Sequence, residues 1–197
     1  YLGVLKDRLY TAHRDSLARR SAQTALAAIR DLLLELMAPI LSFTAEEAWA
    51  IVHPEARSVF CGVWTDAPPA QDDAPALIAK WTRILAVRAS VLKELEALRQ
   101  QGRIGSSLQA EVTITAPPDD HAALAALGDD LRLVLITSAA RVEPGATLGI
   151  AVHPSTAPKC DRCWHYRTDV GHDPAHPALC GRCTANLFGA GEPRRCA

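Results

Sequence analysis

The sequence contains no long uninterrupted hydrophobic run and few aromatic side chains. Of its 197 residues, 49% are hydrophobic, but Phe, Trp and Tyr together make up only 5%. No stretch approaches the roughly 18 consecutive apolar residues that indicate a membrane-spanning helix. The first residues contain neither a basic leader nor a long apolar segment, so they do not predict a signal peptide. We therefore expect neither a membrane anchor nor export.

The sequence also lacks an initiator methionine and begins within what looks like a helix. We therefore expect it to be a piece of a longer protein. The net charge is −1, yet residues 1–40 and residues 158–197 each carry six Lys or Arg against four Asp or Glu. The overall charge gives no support for a polyanionic partner, whereas the two ends mildly favour one.

Hydrophobic spacing predicts helices in the first hundred residues. Apolar positions recur every three or four residues over 16–37, and Pro39 separates this pattern from a shorter helix over 44–52. Two helices joined in this way are typical of an α-hairpin in an all-α bundle. The Pro- and Asp-rich residues 65–75 predict a surface connection. The clearest helix follows over 77–98, with Trp81 in its core stripe, and Gly102 ends it.

The residue pattern changes from helical to strand-like after Gly105, where β-branched residues begin to alternate. Residues 112–115 predict a strand that ends at two prolines, and residues 119–128 predict a short helix. Three further strands are expected, at 131–136, 139–142 and 148–152. Together these elements predict a small α+β unit.

Four of the six cysteines form two close pairs near the end of the chain. Cys160 and Cys163 make one C-x-x-C motif, and Cys180 and Cys183 make the other. Each motif can point both sulfurs at one ion, and the spacer lets the second pair complete a tetrahedral S₄ zinc site. Gly181 suits a sharp turn inside the second motif. We expect a structural zinc, because four thiolates leave no open position for catalysis.

Other uses of these cysteines are possible from the residues alone. His172 and His176 could join the first pair as ligands, although Pro174 would break a helix between them and the second pair would be idle. A redox-active dithiol would need only one pair. Disulfides are typical of smaller secreted chains, and no export signal is present.

Basic and aromatic residues are interleaved around the two motifs. Arg162 and Arg182 lie inside them, and Trp164 and Tyr166 follow the first one. Such a mixture is typical of surfaces that bind phosphates and unstacked bases. The alternative is that the two aromatic side chains pack the core of a small module that has few other large apolar groups.

The residues around the cysteines resemble a known family. Lys-Cys-Asp-Arg-Cys-Trp-His-Tyr at 159–166, Cys-Gly-Arg-Cys at 180–183 and Gly-Glu-Pro-Arg-Arg at 191–195 are similar to the terminal zinc module of bacterial isoleucyl-tRNA synthetases. Earlier blocks at 6–10, 19–26 and 37–47 resemble the helical anticodon-binding domain of the same family, and 105–108 resembles its entry into the α+β unit.

The resemblance implies a class I synthetase that activates isoleucine with ATP and transfers it to tRNA(Ile). Its anticodon stem-loop would be the partner of this region, with Arg162 and Trp164 in contact with the loop and with Arg182, Arg19 and Arg20 as further candidates. Arg19 and Arg20 could equally lie on a solvated or salt-bridged helix face. A cytoplasmic monomer is implied.

Two features depart from the family pattern. Cys196 stands where an aromatic residue is expected, so it is not counted as a zinc ligand, and Cys61 has no assigned role. The class I motifs that bind ATP, H-x-G-H and K-M-S-K-S, are absent, and no other nucleotide-binding motif replaces them. We therefore expect no catalytic residue in this chain, and ATP to be bound only by a catalytic domain outside it.

The expected fold is mainly α and has three parts. Residues 1–102 are predicted to be the helical-bundle anticodon-binding domain, residues 103–157 a small α+β junction unit, and residues 158–197 a Cys₄ zinc-binding module. Two other functions remain open. Formamidopyrimidine-DNA glycosylases end in a similar finger, so a DNA-repair protein is one alternative. A zinc-stabilised protein-interaction module is the other.

Overall fold

The computed structural model describes residues 2–64 and 72–194. Residues 65–71 of the predicted surface connection lie outside the described residues, and so does Cys196. The chain divides into two compact units, one of Arg20–Asp72 and one that combines Tyr1–Arg19 with Asp73–Ala197. The helices and strands, in chain order, are α1 (Leu2–Tyr10), α2 (Leu17–Met37), α3 (Ser42–Val52), α4 (Ala74–Gln100), β1 (Ala110–Ala116), α5 (Pro118–Ala125), α6 (Leu131–Leu135), β2 (Ala139–Pro144), β3 (Gly149–Pro154) and α7 (Gly181–Phe188).

The smaller unit contains most of the two helices from which an α-hairpin was predicted. Helices α2 and α3 confirm the two predicted helices, although α3 begins at Ser42 rather than at residue 44. Ala38, Ala45 and Val59 form a small core against Trp49. The Trp49 indole donates a hydrogen bond to the Arg57 carbonyl at 3.0 Å, which ties the segment after α3 back to that helix.

Helix α4 provides the main hydrophobic face of the larger unit. Its buried side chains recur at helical spacing because one stripe of an amphipathic helix faces the core. These side chains are Ile84, Val87, Val91, Leu95 and Leu98. Trp81 is half-buried and packs against the same core, which confirms its predicted role. Gly102 adopts φ +70° just beyond the helix, and this left-handed residue ends α4 as predicted.

A three-stranded sheet packs against α4 with β1 in its centre. Strand β1 pairs in parallel with β2 and antiparallel with β3. Val112 and Ile114 of β1 are buried, so they contribute one face of the strand to the core. Because parallel strands need a crossover connection, α5 and α6 lie between β1 and β2 in the chain.

The prediction of a strand at 131–136 is wrong. Residues Leu131–Leu135 form α6 instead, and all five are buried. A short, mostly apolar run does not show by its period whether it is a strand or a helix, and here even Arg132 is buried. The crossover to β2 decides the outcome, and Ile136 then ends the helix in a left-handed conformation at φ 60°. The other predicted strands and the helix at 119–128 are confirmed, with shifted ends.

The described residues form a mainly α protein with one small sheet and a cysteine cluster, as the sequence predicted. The predicted domain boundaries after residues 102 and 157 stay predictions. Within the described ranges, none of the helices combines the length and the apolar character needed to cross a membrane.

Candidate functional site

The four predicted cysteines come together in the larger unit. Their Sγ atoms all lie within 4.8 Å of one another, and all four side chains are buried. The Sγ atoms of Cys163 and Cys180 are 3.7 Å apart. A tetrahedral zinc with Zn–S bonds of about 2.3 Å requires sulfurs about 3.8 Å apart. The donor set therefore fits one zinc ion, and this group of four includes neither His172 nor His176.

The first cysteine pair lies on a tight turn. The Trp164 amide donates to the Cys160 carbonyl at 2.9 Å, and the Cys160 amide donates to the His165 carbonyl at 2.9 Å. An isolated bridge between Lys159 and Tyr166 closes the turn. These bonds point both sulfurs of the pair to the same side, where a metal can bind them.

The second cysteine pair lies at the start of α7. Cys180 is the N-cap of this helix, and Cys183 lies in its first turn. The Cys180 amide also donates to the Cys160 sulfur at 3.3 Å. Gly181 does not form the sharp turn expected of it, because it begins the helix. A Cβ at this position would lie 3.1 Å from the Asp169 carboxylate, which accepts a hydrogen bond from the Gly181 amide at 3.2 Å.

Contacts among the clustered thiols oppose the ionisation of Cys163. Hydrogen bonding to the Cys180 sulfur, and then to Cys183, raises the pKa of Cys163 far above its usual range. A divalent cation reverses this effect because zinc binds the thiolate form. The neighbouring His165 is buried, and burial followed by the charges of Arg132 and Arg182 lowers its pKa to about 4. His165 is therefore neutral at pH 7.

Arg162, predicted to contact RNA, binds the end of α1. Its Nη1 donates to the Thr11 carbonyl at 2.8 Å, and its Nη2 donates to the Tyr10 carbonyl at 3.2 Å. Nη1 also lies 3.7 Å from the Cys183 sulfur. The guanidinium thus connects a zinc ligand with the carbonyls that end the helix, where a positive charge is favourable.

Arg182 occupies the same position in the second motif and also binds α1. It is only 8% exposed. Its Nη2 donates to Asp7 at 2.6 Å and to the Thr11 hydroxyl at 2.9 Å, and its Nε donates to Glu192 at 2.7 Å. The Arg182 guanidinium is therefore occupied by contacts within the protein.

Asp7 is the acidic centre of this network. Arg194, whose side chain is 3% exposed, forms a second ion pair with Asp7 at 2.7 Å. Burial acts to raise the pKa of Asp7, but the charge and hydrogen bonds of Arg182, with Thr11 and Arg194, outweigh it and lower the pKa to about 2. Neither Asp7 nor Arg194 was predicted as a site residue, although both belong to blocks that carry the family resemblance.

Trp164 differs from the two arginines because it points into solvent. It is 60% exposed, and the Lys159 amine lies 5.7 Å from the centre of its ring. Its φ of 63° is left-handed, a conformation that costs a residue other than glycine roughly 1–3 kcal/mol. Of the other two candidates, Arg20 is exposed and Arg19 is half-buried, both on α2.

Comparison with known proteins agrees with this arrangement. Residues 1–114 match the family described as the anticodon-binding domain of tRNA ligase. The chain belongs to this family. Residues 158–186 match a zinc finger found in FPG and IleRS, and this range includes all four clustered cysteines. One structural zinc ion is therefore the cofactor of this region, as the sequence predicted.

The similar proteins include isoleucine–tRNA ligases from several bacteria. That of Ralstonia pickettii is 59% identical over 203 residues, which cover 100% of this chain and 21% of the relative. That of Bordetella petrii is 56% identical over 204 residues, which cover 98% of this chain and 21% of the relative. The resemblance to isoleucyl-tRNA synthetases is confirmed, and the chain spans about a fifth of the length of these relatives.

Proposed function

We propose that this chain is the tRNA-binding C-terminal region of an isoleucine–tRNA ligase. The full-length enzyme would use ATP, bound in a catalytic domain outside this chain, to attach isoleucine to tRNA(Ile). The observation that carries the proposal is the position of Trp164. The zinc-bound turn holds this exposed indole close to α1, which belongs to the segment that matches the anticodon-binding domain.

In this proposal the zinc ion gives shape to the module and takes no part in chemistry. Four thiolates fill its coordination shell, so neither substrate nor water can bind to it. The two motif arginines then transmit that shape to α1 through Thr11, Tyr10 and Asp7. The anticodon stem-loop of tRNA(Ile) is the proposed partner, and residues 1–102 would form the helical-bundle domain that grips it. A monomeric state and a cytoplasmic location remain predictions.

The contacts divide the predicted tRNA-binding residues into two groups. Arg162 and Arg182 bind the end of α1, so we propose that they act on RNA binding by positioning that helix. Trp164, with the Lys159 ammonium beside its ring, provides the stacking surface and positive charge that single-stranded RNA needs. Arg19 and Arg20 remain candidates for contact with the tRNA backbone.

Binding of tRNA(Ile) to the zinc-loaded chain tests the proposal. We expect a dissociation constant that rises steeply with salt, because phosphate contacts release counterions. Trp164→Ala should weaken binding about tenfold, whereas Trp164→Phe, which keeps an aromatic face, should restore most of it. If the native chain does not bind tRNA(Ile) at low salt, the proposal is wrong, and a protein-interaction module becomes the better explanation.

A DNA-repair function is the second candidate, because the zinc-finger family also occurs in FPG proteins. The match of residues 1–114 to a tRNA-ligase domain favours RNA instead. A competition experiment between tRNA(Ile) and a damaged DNA duplex separates the two. The duplex would have to displace the tRNA for the DNA-repair alternative to be correct.

A further inference from the structure

A polar cavity of about 360 Å³ lies in the larger unit, where the sheet meets the zinc module. Three arginines from separate elements line it: Arg132 from α6, Arg141 from β2 and Arg167 from the segment after the first zinc turn. The Tyr166 amide donates to the hydroxyl of Ser138, the residue before β2, at 2.6 Å, and Ser138 also lines the cavity. The volume lies within the roughly 300–1,000 Å³ that is typical of small-molecule sites.

Arg132 is a buried cation whose hydrogen-bonding groups are not all satisfied. It is only 3% exposed, and its Nε donates to the Asp129 carboxylate at 3.1 Å. Its Nη1 is buried as well, yet it has no hydrogen-bond partner in the described part of the chain. The Asp129 side chain is 78% exposed, so water screens the negative charge that faces Arg132. Burial of a charge is costly unless it is paired and hydrogen-bonded, so a further acceptor would stabilise this guanidinium.

The other two arginines add positive charge to the same cavity. Arg141 is exposed and forms no ion pair with the residues that the structure describes. Arg167 pairs with Asp169 at 3.3 Å, which offsets part of its charge. Among the described residues that line the cavity, three guanidinium groups therefore face one carboxylate, that of Asp129. This balance of charge favours an anion as the ligand.

Strand β2 adds backbone donors to the arginines. It is an edge strand, because the sheet order is β2-β1-β3. An edge strand presents N–H groups that no neighbouring strand accepts, and Ala139 and Ala140 of β2 line the cavity. Guanidinium groups bind phosphate through pairs of parallel hydrogen bonds, and backbone N–H groups bind its remaining oxygens. The donor set therefore fits a phosphate group.

We propose that this cavity binds the phosphate group of a small anionic ligand. Its oxygens accept hydrogen bonds from the guanidinium groups of Arg132 and Arg141 and so satisfy the buried cation. An RNA strand is a poorer source of the phosphate, because the phosphates next to the bound one would approach the exposed Asp129 carboxylate. The cavity shares none of its lining residues with the surface around Trp164, so the proposal does not rest on RNA binding.

Titration calorimetry of the zinc-loaded chain with inorganic phosphate, at constant ionic strength, tests the proposal. We expect saturable binding with a dissociation constant of about 1 mM, the scale for so small a ligand. Arg141→Gln should weaken binding about tenfold, because it removes a hydrogen bond between two charged groups. Arg103→Gln is the matched control, since Arg103 is also exposed but does not line the cavity. This variant should bind phosphate like the native chain.

A second variant tests the buried arginine. Arg132→Lys keeps the positive charge but removes the planar pair of donors, so it should also weaken phosphate binding about tenfold while the chain still binds zinc. If Arg132→Lys does not fold, Arg141→Gln decides by itself. Equal phosphate affinity of Arg141→Gln and Arg103→Gln would overturn the proposal. So would the absence of saturable binding to the native chain up to about 20 mM phosphate.

Binding of tRNA(Ile) separates a small ligand from an RNA phosphate. Arg141→Gln and Arg103→Gln should bind tRNA(Ile) with equal affinity, and saturating phosphate should not displace the tRNA at constant ionic strength. If Arg141→Gln instead weakens tRNA binding about tenfold relative to Arg103→Gln, the cavity holds a phosphate of RNA and the small-ligand proposal is wrong. A native chain that binds phosphate but not tRNA(Ile) would support the cavity and refute the proposed function.

Discussion

Replacing Asp7 by asparagine should destabilise the contact between α1 and the zinc-binding module. The change keeps the size of the side chain but removes the charge that faces Arg182 at 2.6 Å and Arg194 at 2.7 Å. The two arginine side chains are only 6% and 3% exposed, so they cannot recover the loss through water. Removing one partner of a buried ion pair costs roughly 3–5 kcal/mol. Because Arg182 keeps its bond to Glu192, we expect about 3 kcal/mol.

Hydrogen–deuterium exchange of the zinc-loaded chain measures this destabilisation directly at helix α1. Amides of residues 2–10 should exchange roughly a hundredfold faster in Asp7→Asn than in the native chain, since about 1.4 kcal/mol corresponds to a factor of ten. Urea unfolding should show the same loss in the transition that includes the zinc module. Release of zinc to a chelator should also accelerate, because Arg162 connects the end of α1 to the Cys183 sulfur.

The matched control is Asp15→Asn. Asp15 also forms an ion pair with an arginine, but the side chains of Arg14 and Asp15 are 84% and 69% exposed. Exposed pairs contribute roughly 0–1 kcal/mol, so this variant should behave like the native chain. Equal exchange in Asp7→Asn and Asp15→Asn would refute the conclusion that the Asp7 network holds the helix to the zinc module.

Three further predictions follow from the same geometry. The lowered pKa of Asp7 contributes about 2 kcal/mol that is present above pH 4 and lost as pH falls towards 2. In urea unfolding, the stability difference between native and Asp7→Asn chains should therefore fall from about 3 to about 1 kcal/mol over that range. Cys183→Ser should abolish stoichiometric zinc by atomic absorption, whereas Cys61→Ser, which changes an exposed thiol, should not. Trp164→Gly relieves the strain of the left-handed backbone at this position. The thermal midpoint of this variant should therefore equal or exceed that of the native chain, while its affinity for tRNA falls. A destabilisation above about 1 kcal/mol would contradict this reasoning.

Local patterns in the sequence were sufficient to predict much of the fold. Helices α2 and α4 were predicted because their hydrophobic residues recur with the period of a helix, and the zinc site was predicted because two C-x-x-C motifs carry their geometry in their spacing. The strand predicted at 131–136 failed for the converse reason. This run is short and buried on all sides, Arg132 included, so it has no exposed face from which a period could be read, and it forms α6 in the crossover between the parallel strands.

The sequence by itself determined that this chain contains a zinc site and a set of helices related to tRNA ligases, because these follow from spacing and from contiguous blocks. It did not determine the roles of the arginines in the two motifs, which looked identical to RNA-binding residues. Only the tertiary structure brought Asp7 and Thr11 to Arg182 and Arg162, across more than 150 positions of the chain. These contacts, rather than residue type, decide which arginine side chains bind partners within the protein. They leave Trp164 exposed on a strained backbone, which is why we propose this side chain for contact with RNA.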